Sequence, residues 1–100
     1  MSRQLIVTKE AEADILDGYL SYEGKQVGLG WRFMDEIELT FGRILPDPFL
    51  YQEVETDIRR AVTHTFPYLV FYTLDERTVQ ILAVIHGAQA PAYINERLGA

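Results

Sequence analysis

Apolar residues recur at helical spacing along the first half of the chain and run together in blocks along the second. Residues 3–8, RQLIVT, form a short β-branched run without a breaker and predict a strand. Thr8 then resembles a helix N-cap, and Glu10, Glu12 and Asp14 fall where the positive end of a helix dipole favours acids. Ala13, Leu16 and Leu20 follow at helical spacing, widened by Ile15, Tyr19 and Tyr22, which predicts a helix over 9–23. EGKQVGLG supplies a glycine turn. A second stripe of Phe33, Ile37, Phe41 and Ile44, flanked by Met34 and Leu45, carries Asp35, Glu36 and Glu38 on its other side. Pro46 and Pro48 stop it, because proline donates nothing to a helix ladder. The product is a helical hairpin with one apolar side.

The period then changes. Residues 56–65 alternate loosely, while 68–74 and 78–86 are dense in β-branched and aromatic residues, with Asp75-Glu76-Arg77 as the polar turn between them. Ile81 to Ile85 are apolar on both faces, so that strand is expected to be central and covered on both sides along part of its length. Residues 91–98, opened by Pro91, predict a short helix. The expected architecture is one α+β domain over 1–100: an N-terminal strand, a helical hairpin, a mainly antiparallel sheet of three further strands, and a short C-terminal helix.

Composition narrows the function classes. One hundred residues hold a single core, and the absence of cysteine excludes disulfides and zinc–thiolate sites. No run approaches a membrane span or a signal peptide, so a soluble cytoplasmic protein is expected. The net charge of −6 opposes phosphate neutralisation, and direct DNA binding is not expected. The charge is uneven: residues 1–57 hold twelve acids against five bases, whereas residues 58–100 hold three acids against four bases and both histidines. The second half is left with a mildly basic character.

Candidate chemistry gathers there. Arg59 and Arg60 are adjacent in a predicted strand, so their side chains point to opposite faces. One reading exposes one of them and pairs the other with an acid; the sharper reading has one bind a phosphate or carboxylate. Tyr68 and Tyr72 share a strand face at spacing four, either as packing or, on an open face, as a surface that stacks a base or fills a partner's pocket. His86 ends the most buried strand, where it is either a general acid or base or, the preferred reading, a partly buried residue bonded to a backbone carbonyl. His64 has a weaker claim. Histidines and carboxylates do not fall at metal-ligand spacing, and no GxSxG, P-loop or GxGxxG is present, so neither metal nor cofactor is expected. Serine occurs only at positions 2 and 21, which disfavours a serine nucleophile.

The succession VTKEAEADILDGYLSY, GLGWRFMDEIE, PDP, IRRAVTHTFPYLVFYTL, VQILAVIHGAQAP and YINER resembles the ParE branch of the RelE/ParE toxin superfamily, from Val7 to Arg97. The IRR…FPYLVFY…ILAVIH order is its most specific part. The resemblance implies the toxin half of a type II toxin–antitoxin module, of the kind often described as plasmid stabilization proteins. It also implies a small antitoxin whose disordered C-terminal segment folds on the toxin. Within the superfamily, RelE-like members cut messenger RNA on the ribosome with a basic cluster, whereas ParE-like members poison DNA gyrase. Many relatives read His-x-x-Arg-x-Pro after the last strand; here the segment is His86-Gly87-Ala88-Gln89-Ala90-Pro91, with Gln89 where a cation is usual. Such cleavage calls for a preorganised cation to stabilise the transition state, and Gln89 carries no charge. The chain also lacks lysine beyond Lys25. A gyrase inhibitor is therefore the expectation, with Arg59, Arg60, Tyr68, Tyr72, His86, Gln89 and Arg97 as target-binding candidates. The alternatives are a ribosome-dependent nuclease, using His86, Arg59 or Arg60, and Tyr93, or a non-toxic relative that only binds an antitoxin.

Overall fold

The computed structural model describes residues 3–97, with the backbone alone at Tyr93 and Ile94. Strand β1 (Gln4–Val7) passes into helix α1 (Lys9–Lys25) at Thr8, whose hydroxyl oxygen accepts from the Ala11 N–H at 3.2 Å. That contact satisfies one of the donors that every helix start leaves open. Helix α2 (Leu29–Ile44) returns after a turn in which Gly28 takes φ 91°, a left-handed conformation suited to glycine. Glu23 holds the turn: its two carboxylate oxygens accept from the Gly28 and Gly30 N–H groups, both at 2.9 Å, and cap the start of α2.

The sheet follows as β2 (Glu53–Glu55), β3 (Ile58–Val62), β4 (Tyr68–Leu74) and β5 (Thr78–His86), ordered β1-β5-β4-β3-β2. β1 runs parallel to β5, and the other pairs are antiparallel. A short 3-10 turn (Gly87–Gln89) then leads into α3 (Ala90–Arg97). The hairpin, the strands at 68–74 and 78–86 and the C-terminal helix stand as the sequence pattern predicts. The expected run 56–65 differs: it breaks around Asp57, at φ 63°, into a two-strand ribbon. β2 is thus a fourth strand after the hairpin, too short and too acidic to show a period.

The larger core lies between the helices and the sheet, where Phe33, Ile37 and Ile44 of α2 meet Ala61, Val70, Tyr72, Val79 and Ile81. A smaller cluster of Phe71, Ala83, Ile85 and Ala90 covers the far face, so β5 is buried on both sides. α1 is rotated from its expected stripe. Its buried positions are Ala11, Asp14 and Gly18, whereas Leu16 and Leu20 are more than half exposed. Small residues are needed on the inner side: a Cβ on Gly18 would stand 2.6 Å from Cζ of Phe33. Glu36 also departs from the expected polar side; it is buried, and its carboxylate accepts from the His64 N–H at 2.6 Å, tying α2 to the β3–β4 loop.

Asp14 is buried because β5 needs it. β1 pairs with β5 only as far as Ile81, and α1 takes over the edge beyond. The Thr8 hydroxyl donates to the Ile81 carbonyl at 2.9 Å, and Asp14 Oδ2 accepts from the Val84 N–H at 3.0 Å. Arg97 of α3 donates to the Leu82 carbonyl at 2.9 Å and pairs with Asp14 Oδ1 at 2.8 Å. Buried backbone groups that would otherwise lack partners are satisfied by side chains from both ends of the chain. Among the described residues no helix is long and apolar enough to cross a membrane.

Candidate functional site

Strand register decides which candidate residues meet. Tyr68 pairs with His86, and Tyr72 pairs with both Arg59 and Ile81, all on the face covered by the helices. Arg60 pairs with Phe71, which belongs to the far-face cluster. Arg59 and Arg60 therefore lie on opposite faces, as alternation requires.

Arg59 is engaged in structure. Its Nη1 donates to the Tyr51 carbonyl at 2.6 Å and the Phe49 carbonyl at 3.4 Å, and its guanidinium lies 5.3 Å from the centre of the Phe49 ring. Arg3 approaches the same ring at 5.3 Å, so two cations clasp one aromatic side chain. Arg60 is half-buried beside an open hollow with Leu50, Val62 and His64. Among the described residues no carboxylate lies within pairing distance of it.

Both tyrosine rings pack in the core and not on an open sheet face, although Tyr68 also lines a cleft beside His86. Tyr72 is fully buried and its hydroxyl donates to the Pro48 carbonyl at 2.6 Å; burial, the larger effect, pushes its pKa up to about 12 against an opposing pull from Arg59. Tyr68 is 9% exposed, its ring 4.8 Å from Phe33 and 5.5 Å from the His86 ring.

His86 is partly buried, but among the described residues it does not make the bond to a backbone carbonyl that the sequence reading preferred. Its Nδ1 accepts from the Ala88 N–H at 3.0 Å and caps the 3-10 turn, which leaves the proton of the neutral ring on Nε2. It borders a cleft of about 270 Å³ shared with Asp14, Asp17, Ser21, Tyr68 and Gln89. The structure thus unites His86, Tyr68 and Gln89, and sets Arg97 nearby through its bond to Asp14. It does not bring Arg59 or Arg60 to them. The Tyr93 side chain lies outside the described residues. A cleft walled by Asp14 and Asp17 is a poor seat for a phosphate, since like charges at short range repel. Among the described residues no three His, Asp or Glu side chains are grouped to hold a metal ion.

A second region lies on the helical hairpin, whose acids and adjoining apolar groove already make a sensible partner surface in the sequence. Outside the core, α1 and α2 form an apolar groove of about 490 Å³ lined by Val7, Ile15, Leu16, Tyr19, Trp31 and Met34, with Glu12 at its rim. Trp31 is 61% exposed and meets Tyr19 edge to face at 5.1 Å. Leu20 and Leu39 add exposed apolar surface on the same helices, where Asp35 and Glu38 supply negative charge. β1, beside the groove, ends the strand order and leaves one edge without a strand. The available signal was Trp31, the only tryptophan, which falls off the Phe33–Ile37–Phe41–Ile44 stripe.

Comparison with known proteins finds similarity at the level of the chain and of the fold. The family model described as the ParE toxin of the type II toxin–antitoxin system, parDE, matches residues 5–91. A solved chain from the chromosomal ParDE TA system of P. aeruginosa shares the fold, with a TM-score of 0.63 at 14% identity, over 85% of this chain and 96% of that one. A search of curated proteins finds no match.

Proposed function

Because the chain belongs to the ParE toxin family of type II toxin–antitoxin systems, we propose that it acts in the cytoplasm by binding a protein target, DNA gyrase, and is neutralised by a cognate antitoxin. The observation that carries protein binding over RNA cleavage is the separation of Arg59 and Arg60 from His86, while Arg97, which lies nearer, is engaged by Asp14. Arg59 is committed to the Phe49–Tyr51 loop, Arg60 is on the other face, and the His86 cleft contains carboxylates. A ribonuclease of this kind needs the reverse: cations converging on one phosphate beside a proton-transfer group. The choice of gyrase rests on the resemblance to ParE-like toxins.

The antitoxin is assigned to the groove of α1 and α2. Leu16, Tyr19 and Trp31 offer apolar anchorage, and Glu12, Asp35 and Glu38 favour a basic amphipathic segment. The test is a gyrase supercoiling and cleavage-complex assay with purified chain, followed by addition of the antitoxin. Inhibition reversed by the antitoxin is the expected result. Undisturbed gyrase at high molar excess, with intact transcripts in a translating extract, would leave an antitoxin-binding protein without toxicity; cut transcripts would restore the nuclease reading.

A further inference from the structure

Among the described residues no buried side-chain polar atom lacks a hydrogen-bond partner, so the hydroxyl of Tyr68, which has none, opens to solvent at the cleft. The residue is nine-tenths buried, its ring wedged among Tyr22, Phe33 and His86. Among the described residues no group makes a hydrogen bond with its hydroxyl. Its backbone is fully engaged, donating to the Phe66 carbonyl at 2.8 Å and accepting from Thr63 N–H at 3.1 Å. The side chain lines the cleft between α1 and the end of β5. Burial raises its pKa, and Tyr22, Asp17 and Asp14 add to the rise, so the group is a neutral O–H with free lone pairs.

The charges of the cleft do not cancel. The Asp14 carboxylate is taken by Val84 and Arg97. Asp17 is exposed, and among the described residues no cation pairs with it. Gln89 contributes an uncharged amide where a cation would have closed the site. A volume of about 270 Å³ is below the range of whole small-molecule pockets and suits the end of one side chain.

We propose that this cleft receives the guanidinium of a single arginine presented by a bound polypeptide. Asp17 supplies the countercharge, the Tyr68 hydroxyl and the Gln89 amide oxygen accept hydrogen bonds from the planar fork, and the His86 ring flanks it. Lysine fits less well, because a compact ammonium does not use several acceptors spread across one plane. This inference rests on the protein-binding reading only for the nature of the partner; the site itself is testable without gyrase or antitoxin.

The probe is N-acetyl-arginine methylamide, titrated into the isotope-labelled full chain by NMR. Saturable shifts of the Tyr68 and His86 rings are expected, with a dissociation constant of about 1–10 mM for so small a ligand. Asp17→Asn should weaken binding by about fivefold or more, a loss of roughly one charge-assisted hydrogen bond. Tyr68→Phe should weaken it about threefold while leaving the melting temperature unchanged or raised, because the hydroxyl it removes is unpaired. The absence of saturable shifts, an equal response to N-acetyl-glutamate methylamide, or an unaltered affinity in Asp17→Asn would overturn the assignment. A marked fall in the melting temperature of Tyr68→Phe would do so as well, by showing that the hydroxyl already has a partner.

Discussion

Arg59 and Arg60 are consecutive on β3 and lie on opposite faces of the sheet, Arg59 on the Phe49 ring and the carbonyl of Tyr51, Arg60 on the side of the sheet that carries Phe71. Arg59→Ala should lower stability by about 1–2 kcal/mol, since it removes a charge-assisted bond and a cation–aromatic contact. Arg60→Ala should stay within about 0.5 kcal/mol. As a docking cation, Arg60 should instead lose gyrase inhibition severalfold. Urea denaturation and supercoiling assays on the two variants separate these roles; equal destabilisation would mean the faces are misassigned.

Asp14 and Arg97 form a pair that closes β5. Asp14→Ala strands the Val84 N–H and takes the countercharge from a partly buried guanidinium that keeps its bond to the Leu82 carbonyl, and should cost about 3 kcal/mol. Arg97→Ala should also destabilise, but less, because the Val84 N–H keeps its acceptor. Denaturation midpoints give the order directly, and an Arg97 variant worse than the Asp14 variant would contradict it.

Tyr72 predicts an alkaline weakness. Its pKa rises from 10.0 to about 12 on folding, so above pH 10 the unfolded chain loses a proton that the folded chain keeps. The contribution is fully present below pH 10 and is lost as pH climbs through 12. Tyr72→Phe should flatten this part of the stability–pH curve. It should also cost about 1–3 kcal/mol at neutral pH, because the Pro48 carbonyl loses its donor.

The hairpin makes a paired prediction. A Cβ on Gly30 would stand 2.8 Å from the backbone oxygen of Tyr19, which cannot rotate away, so Gly30→Ala should destabilise by about 1–3 kcal/mol. Gly42 lies on the same helix with nothing within 4 Å of its added Cβ. Gly42→Ala should therefore raise stability by up to about 1 kcal/mol through helix propensity. Thermal melts of both variants test the close approach of the two helices.

The groove predicts an antitoxin-specific defect. Trp31→Ala and Leu16→Asp change exposed residues and should leave the fold intact within about 0.5–1 kcal/mol. Each should weaken antitoxin binding by about 2 kcal/mol, roughly thirtyfold. Calorimetry measures this, and in cells growth arrest should persist despite antitoxin co-expression. Unchanged affinity in both variants would move the antitoxin off this surface.

Local chemistry made much of the fold legible. The apolar runs of β4 and β5 carry their own period, and Asp75 makes their turn by accepting from Arg77 and Thr78 N–H groups, both at 2.8 Å. α1 was harder. Leucines at 16 and 20 imply an inner face only if the chain is complete alone, whereas the inner face carries an aspartate for a reason 70 residues away. The functional residues suffered similarly: alternation separates Arg59 from Arg60, but no local pattern says that a loop carbonyl captures the first. Nor does spacing reveal that Tyr68 and Tyr72 are roofed by helices.

The pairing of β1 with β5 also has a bearing on when the protein becomes competent. Thr8 and Ile81 are 73 residues apart, and contacts of this reach form slowly because a long loop must first close. During synthesis the hairpin emerges early, with Phe33 and Ile37 exposed and no sheet to cover. Until β5 has been translated and has left the exit tunnel, β1 has no strand to join. Any activity that needs the closed sheet is therefore delayed until nearly all of these residues have been made, while the outer surface of the hairpin is available much sooner. A partner of the groove proposed above, if present during translation, would meet it before the sheet has closed.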